Sequence, residues 1–340
     1  MTQTTTAIPF DDIRNLLVDL PQGGLNAAVL ARQRNATLVK PAGSLGRLEE
    51  IAIWLATWQG REKPQVNQPF AVVFAANNGI AAQGVSQYPP ALTRQMLETY
   101  AAGGGAVNQI AATYGIGLKV FELALDYPAG DITKEAALDE KSAAATFAFG
   151  MEAIVGGPDL LCLGEVGVGN TSVAAAVYCA LFGGDAASWC GRSPGMDDKV
   201  FGVKVDAVRR ALELHKGHFA DPLEIMRRLG GREICALGGA IVAARLQGIP
   251  VVLDGYTVCA AAALLQAINP AALDHCLAGH VSPHGAHREV LRRLGKSPLL
   301  DLGIDMGEGA GAALAAGVIK AAAACHNDMA TREQAGVEVL

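Results

Sequence analysis

The sequence has few aromatic residues, 5% of the total, and no excess of positive charge. Its 27 Lys and Arg against 33 Asp and Glu give a formal net charge of −6. Binding a phosphate backbone takes clustered cations. The basic residues here are scattered, apart from short pairs such as Arg209 with Arg210 and Arg292 with Arg293. This argues against broad nucleic-acid binding. No C-x-x-C pair occurs among the seven cysteines, which lie in mostly apolar surroundings, so buried free thiols in a reducing cytoplasm are expected. The opening MTQTTTAIPFDD has no basic region followed by an apolar run, so no secretory signal is expected there. The most apolar segments, 258–268 and 312–325, are too short or are interrupted by Lys320 for a membrane span. There is no internal repeat and no low-complexity tract.

What the chain does have is alanine and glycine. Hydrophobic residues make up 51%, largely alanine, and 40 residues are glycine. That composition excludes disorder and suggests close helix–sheet packing with many turns. At 340 residues the chain can bury a large core, as two domains or one big one. Residues 8–60 read as helical, with Ser44 capping a strongly patterned helix. A polar linker, 61–69, precedes an apolar strand over 70–76. Further strands are expected at 117–125, 159–163, 249–253 and 277–281. Helices are expected over 91–100, 141–153, 173–178, 201–215 and 232–247, and an Ala-rich one runs to about His326. Apolar strands alternating with helices predict an α/β fold, a mostly parallel Rossmann-like sheet with helices on both faces. The polar turns at 77–79, 164–170, 254–256 and 282–287 then gather at the carboxyl edge of the sheet, where open α/β sheets bind ligands.

The chain is organised around DLLCLGEVGVGNTSVAAA, 159–176. A short apolar strand enters a turn opened by Gly164 and carrying Glu165, Val166, Gly167 and Gly169. Asn170, Thr171 and Ser172 read as N-cap residues of the helix that follows. Strand, Gly-rich turn and helix N-terminus form a geometry that holds an anionic group, although an ordinary tight turn fits the same residues. The spacing matches neither G-x-G-x-x-G nor a P-loop, and no lysine lies in the turn. This argues against NAD and against ATP hydrolysis and leaves a single phosphate or ribose.

Glu308 is the sharpest single residue. It sits between Gly307 and Gly309, ahead of the Ala-rich helix. A carboxylate there can be a helix-start charge. Capping does not require flanking glycines, which fit better with a backbone that must bring the carboxylate close to a ligand. His280, His284 and His287 have the look of a metal set, but Pro283 and Gly285 break any helix that would align them, and no carboxylate or cysteine is interleaved. A polar loop at the sheet edge, with Ser282 able to donate to a phosphate, is the better reading. Asp254-Gly255 could be only a turn.

Taken together, KPAGSLGRLE, FAANNGIAAQGVSQYP, GGGAVNQ, GEVGVGNTS, IPVVLDG and DMGEGAGAALA resemble, in order and rough spacing, the nicotinate-nucleotide–dimethylbenzimidazole phosphoribosyltransferase family of cobalamin nucleotide-loop assembly. The resemblance covers about 40–326. It implies a Rossmann-type sheet plus a small helical domain built from both chain ends: 1–66 and 306–340 around an α/β substrate-binding domain, 67–305. It implies Glu308 as the general base and Glu165 as a second catalytic carboxylate. The nucleotide side would be Val166, Gly167, Gly169, Asn170, Thr171 and Gly309, with Lys204 and Ser282 as weaker matches. Tyr88, Met96 and Met306 would line the benzimidazole pocket. A cytoplasmic homodimer acting on nicotinate mononucleotide and a benzimidazole-type base, with no cofactor and no metal, is the corresponding expectation.

Three departures from the family pattern stand out: Asn77-Asn78-Gly79 for Asp-His-Gly, Ser282-Pro283-His284 for Ser-Ala-Glu, and Asp305-Met306 for Arg-Leu. They bear on substrate preference and rate, and they leave open a non-catalytic nucleotide- or base-binding protein on the same scaffold. The implied chemistry suits the inventory. The pyridinium of nicotinate mononucleotide leaves as a neutral ring, so no general acid is needed. A benzimidazole nitrogen attacks the anomeric carbon from the opposite face, and a carboxylate accepts the proton of the other ring nitrogen.

Overall fold

The computed structural model describes residues 9–337. The first eight residues, which carry most of the stretch read for a targeting segment, and the last three lie outside the described residues. Six strands form one sheet: β1 Pro69–Ala75, β2 Gly117–Glu122, β3 Leu160–Val166, β4 Val251–Leu253, β5 Cys276–His280 and β6 Pro298–Leu300. Their order is β2-β1-β3-β4-β5-β6 and every pair is parallel. The central strands are buried on both faces, as near-continuous apolar runs demand. Val72, Phe74, Leu161, Leu163 and Leu253 enter one core layer, while Ala71, Leu160, Cys162 and Val252 enter the other.

On the first face lie helices Glu140–Glu152, Asn170–Phe182, Gly231–Leu246 and Tyr256–Ile268, and on the second Arg47–Gln59, Ala106–Tyr114 and Ala310–Asp328. The small residues serve close approach. A Cβ on Gly239 would fall 1.9 Å from the Phe147 carbonyl oxygen, and one on Gly150 would fall 1.9 Å from that of Ala236. Two helices therefore pack backbone against backbone, and a larger side chain at either glycine would force them apart.

The chain ends meet. The Arg34 guanidinium donates to the carbonyls of His326 at 2.8 Å and Asn327 at 2.6 Å, and Leu38 bridges to Thr331. Helix Arg47–Gln59 packs on both Leu25–Thr37 and Ala310–Asp328, and the last of these also lies on β3, β4 and β5. No described helix is long and apolar enough to cross a membrane.

Several expected boundaries move. Ser44 caps nothing: helix Arg47–Gln59 begins after Gly46, and Glu49 instead accepts from the Leu45 amide at 3.1 Å and pairs with Lys40 at 2.8 Å. Strand β3 continues through Gly164 and Glu165 to Val166, because Gly164 can pair with Val73 while the chain on its other side presses on it. The helix after it starts at Asn170, with Gly169 at the N-cap and no side-chain cap. The segment 258–268, read only as an apolar run, belongs to the buried helix Tyr256–Ile268.

Candidate active site

At the carboxyl edge of the sheet lies a cavity of about 520 Å³, in the size range of small-molecule sites. Glu165, Val166, Gly167, Gly169, Asn170 and Thr171 form one wall of it, and Ser282 and His284 extend that wall. Tyr88, Met96 and Met306 lie on the cavity as well, with Glu308 beside Met306. Two expected site residues do not line it. The Lys204 ammonium is fully buried behind the wall, 2.8 Å from Thr171 Oγ1 and 2.9 Å from the Gly191 carbonyl. Gly309 stands behind Glu308, where its amide donates to Asp254 Oδ2 at 3.1 Å.

Glu308 is 2% exposed and takes a left-handed conformation, φ +62°, followed by Gly309 at +81°. That backbone turns the carboxylate away from its own helix. Oε1 accepts from the Val107 amide at 3.0 Å, in the first turn of helix Ala106–Tyr114, and the Tyr100 hydroxyl donates to the same carboxylate. A helix N-terminus and a phenol thus both face this carboxyl group. Burial, with Glu308 and Glu165 close by, pushes the Tyr100 phenol far above its usual range. Glu308 is therefore tied to a helix other than the one it precedes.

Glu165 is 4% exposed. Its Oε2 accepts from Asn170 Nδ2 at 2.6 Å, and the Thr257 hydroxyl donates to the carboxylate. Burial pushes this carboxyl up to about 8, with Glu233 and Asp254 adding negative charge against those two hydrogen bonds. Asn170 thus holds Glu165 with its side-chain N–H, while its Oδ1 accepts from the Thr171 amide at 2.7 Å.

The turn over 166–169 rests on a second buried carboxyl. A Cβ on Gly167 would fall 2.5 Å from the Ala76 carbonyl oxygen and 2.7 Å from Glu233 Oε1. Glu233 accepts from Asn78 Nδ2 at 2.6 Å, and burial raises its carboxyl to about 7. The turn at 77–79 accordingly supports the cavity floor and does not line it. Lys204 is lowered to about 8 by burial, and Asp305, on the cavity, is raised by burial while Lys204 and His280 draw it down.

The His280 and His287 rings meet edge to face with centroids 6.1 Å apart, and His284 packs on the Tyr256 ring at 4.8 Å. His280 Nε2 lies 3.5 Å from Asp254 Oδ1, and His287 Nδ1 accepts from the Ser282 amide at 3.0 Å. His284 and His287 are each pushed down to about 3 by burial and are neutral. Sequence reasoning missed Tyr100, Thr257 and Glu233, and it read Asp254 as a turn. The only signal for Asp254 was its place directly after an apolar strand. Tyr100 read as an ordinary helix residue, and Thr257 fell between a polar turn and an apolar run and was not singled out.

A phosphoribosyltransferase family model matches residues 23–337. The chain is similar to the nicotinate-nucleotide–dimethylbenzimidazole phosphoribosyltransferase of Methylocella silvestris, 61% identical over 331 residues and 97% of each chain. It is 60% identical over 334 residues, 98% of each chain, to the protein of the same name from Rhizobium leguminosarum bv. trifolii. The crystal structure of the protein of that name from Thermus thermophilus matches with a TM-score of 0.85 at 36% identity, covering 93% of this chain and 99% of that one.

Proposed function

Because the chain belongs to the nicotinate-nucleotide–dimethylbenzimidazole phosphoribosyltransferase family, we infer that the cavity is where it moves a phosphoribosyl group between two nitrogen bases. The reaction takes that group from nicotinate mononucleotide to 5,6-dimethylbenzimidazole with inversion, giving α-ribazole 5′-phosphate and nicotinate for the lower ligand of cobalamin.

The observation that carries the assignment of roles is the buried Glu308 carboxylate, held at the cavity wall by the Val107 amide and the Tyr100 hydroxyl. One benzimidazole nitrogen attacks the anomeric carbon as the C–N bond to the pyridinium breaks. The electron pair of that bond neutralises the ring of the departing nicotinate. The proton on the other benzimidazole nitrogen passes to Glu308, the general base. Tyr88, Met96 and Met306 give the flat, apolar base its slot. The turn from Val166 through Gly169, Asn170, Thr171 and the helix N-terminus behind it hold the ribose phosphate, with Ser282 and, through Thr171, Lys204. Glu165 stabilises positive charge developing on the ribose. Gly309 serves by the backbone conformation it allows beside Glu308. Positioning two bound reactants supplies much of the remaining acceleration. The chain acts as a cytoplasmic homodimer in this reading.

Incubating the purified protein with nicotinate mononucleotide and a mixture of candidate bases, and identifying the product by mass spectrometry, tests the reaction. α-Ribazole phosphate with equimolar nicotinate is expected. Binding of both substrates without product would favour a non-catalytic binder on the same scaffold.

A further inference from the structure

We propose that the turn between β4 and helix Tyr256–Ile268, together with the first turn of that helix, is a clamp that positions both glutamates, Asp254 fixing the backbone at Glu308 and Thr257 fixing the carboxylate of Glu165. The proposal rests on the reaction and the roles given above.

Asp254 is 1% exposed and leaves β4 with its amide on the Leu163 carbonyl at 3.3 Å, so it stays in register with the strand that carries Glu165. Its two oxygens serve two amides at the start of helix Ala310–Asp328: Oδ2 accepts from Gly309 at 3.1 Å and Oδ1 from Ala312 at 2.8 Å. The helix has no side-chain cap of its own, because its N-cap is Gly309. Asp254 therefore supplies from another segment the acceptor that the helix start lacks.

The position matters because of what precedes the helix. Two consecutive residues, Glu308 and Gly309, are left-handed. A non-glycine residue in that region is unfavourable and persists only where its surroundings over-determine it. Glu308 is tied at its amide to the Glu165 carbonyl, at 2.9 Å, and Asp254 ties the next residue. His280 backs the arrangement, 3.5 Å from Asp254 Oδ1, and the helix sits so close to it that a Cβ on Gly311 would fall 2.0 Å from the His280 ring. Three residues beyond Asp254, Thr257 is 3% exposed, lines the cavity beside Glu165 and draws that carboxyl down with its hydroxyl. One short turn thus reaches the supports of both carboxylates. Neither residue needs to touch a reacting atom, so both are positioning residues.

The test compares Asp254→Asn and Thr257→Val with the wild type, each alone and each combined with the glutamate it serves, Glu308→Gln or Glu165→Gln. Each single variant is expected to lower kcat about tenfold or more, the loss of one hydrogen bond to a charged group, with KM for nicotinate mononucleotide within about twofold. In the matching glutamate variant, the second substitution is expected to lower the residual rate by less than about twofold, because its effect passes through a carboxylate already gone. Thr257→Ser should restore the rate. A mere helix cap would lower Tm and leave kcat per folded molecule unchanged, or cut the residual rate by the same factor in both backgrounds. Either result overturns the clamp. If Asp254→Asn does not fold, Thr257→Val decides, and wild-type kcat in that variant overturns the proposal. A wild-type protein that forms no product fails the reaction reading instead. Amide exchange at Gly309 and Ala312, slow in the wild type and fast in Asp254→Asn, then still decides whether the clamp holds the turn.

Discussion

The amide of Glu308 donates to the carbonyl of Glu165 at 2.9 Å, so the two glutamates of the cavity hang from one backbone hydrogen bond. Beside that bond, Gly164 has no room for a side chain: a Cβ there would fall 2.3 Å from the Gly309 nitrogen and 2.7 Å from the Glu308 carbonyl carbon. Gly164→Ala should displace the turn that carries Glu308. We expect a loss of about 1–3 kcal/mol in stability, the usual cost of overpacking, and a fall in kcat well beyond what that loss explains. Urea denaturation beside steady-state kinetics measures both.

Burial raises the Glu165 carboxyl to about 8. If its ionised form stabilises the ribose cation, kcat/KM rises with pH and levels off above about that value, since this parameter reports the free enzyme. The pyridinium of bound nicotinate mononucleotide favours the carboxylate, so the limb in kcat should lie at lower pH. Glu233, raised to about 7 close by, couples to it, and the limb belongs to the pair. Glu165→Gln should abolish the limb in a kcat/KM profile taken from about pH 6 to 9, the range that brackets the pair.

The same group makes stability depend on pH. An acid whose native pKa lies near 8, against an ordinary 4.5, binds more protons in the folded state than in the unfolded one. Stability contributed by the protonated group is complete below the unfolded value and is lost as pH rises toward the folded value. Glu165→Gln should therefore raise Tm by a few degrees, on the order of 1–2 kcal/mol for a chain of this size, and more at about pH 8.5 than at about pH 6. Thermal unfolding at the two pH values checks the sign.

The Tyr100 hydroxyl faces the Glu308 carboxyl group. Tyr100→Phe keeps the ring in its buried place and removes that donor. A hydrogen bond to a carboxylate is typically worth about 1.5–3 kcal/mol, so kcat should fall about tenfold or more with little change in KM for nicotinate mononucleotide. Unchanged kcat would remove Tyr100 from the support of the base.

The sheet and five of its six strands were legible because apolar runs bounded by turns leave few alternatives in a chain of this length; β6, three half-buried residues at the sheet edge, was not read as a strand. Glu308 stood out because it lies between glycines that a helix start does not require, whereas Glu165 lies in a stretch that an ordinary tight turn also fits and came forward through the family resemblance. The supports of those carboxylates were not legible. Asp254 acts on amides of residues 309 and 312, and Tyr100 and Val107 act on Glu308, contacts that exist only once the sheet has brought its carboxyl edge together. Gly164 read as the opening of a turn, whereas it is a strand residue whose missing side chain makes room for Glu308 and Gly309. Asn170 read as a cap; its Oδ1 does accept from the Thr171 amide, but its N–H reaches back to Glu165, a contact that local sequence rules do not contain.

The central claim is that Glu308 accepts the proton released as the benzimidazole nitrogen attacks. Glu308→Gln keeps the size of the side chain and the acceptor facing the Val107 amide, and it removes the basic oxygen. Single-turnover transfer from nicotinate mononucleotide to 5,6-dimethylbenzimidazole, with nicotinate mononucleotide binding measured by calorimetry on the same protein, tests the claim directly. The account predicts a rate lower by about 10²–10⁴, the usual contribution of a general base, with binding retained. Near-wild-type turnover in Glu308→Gln would contradict it.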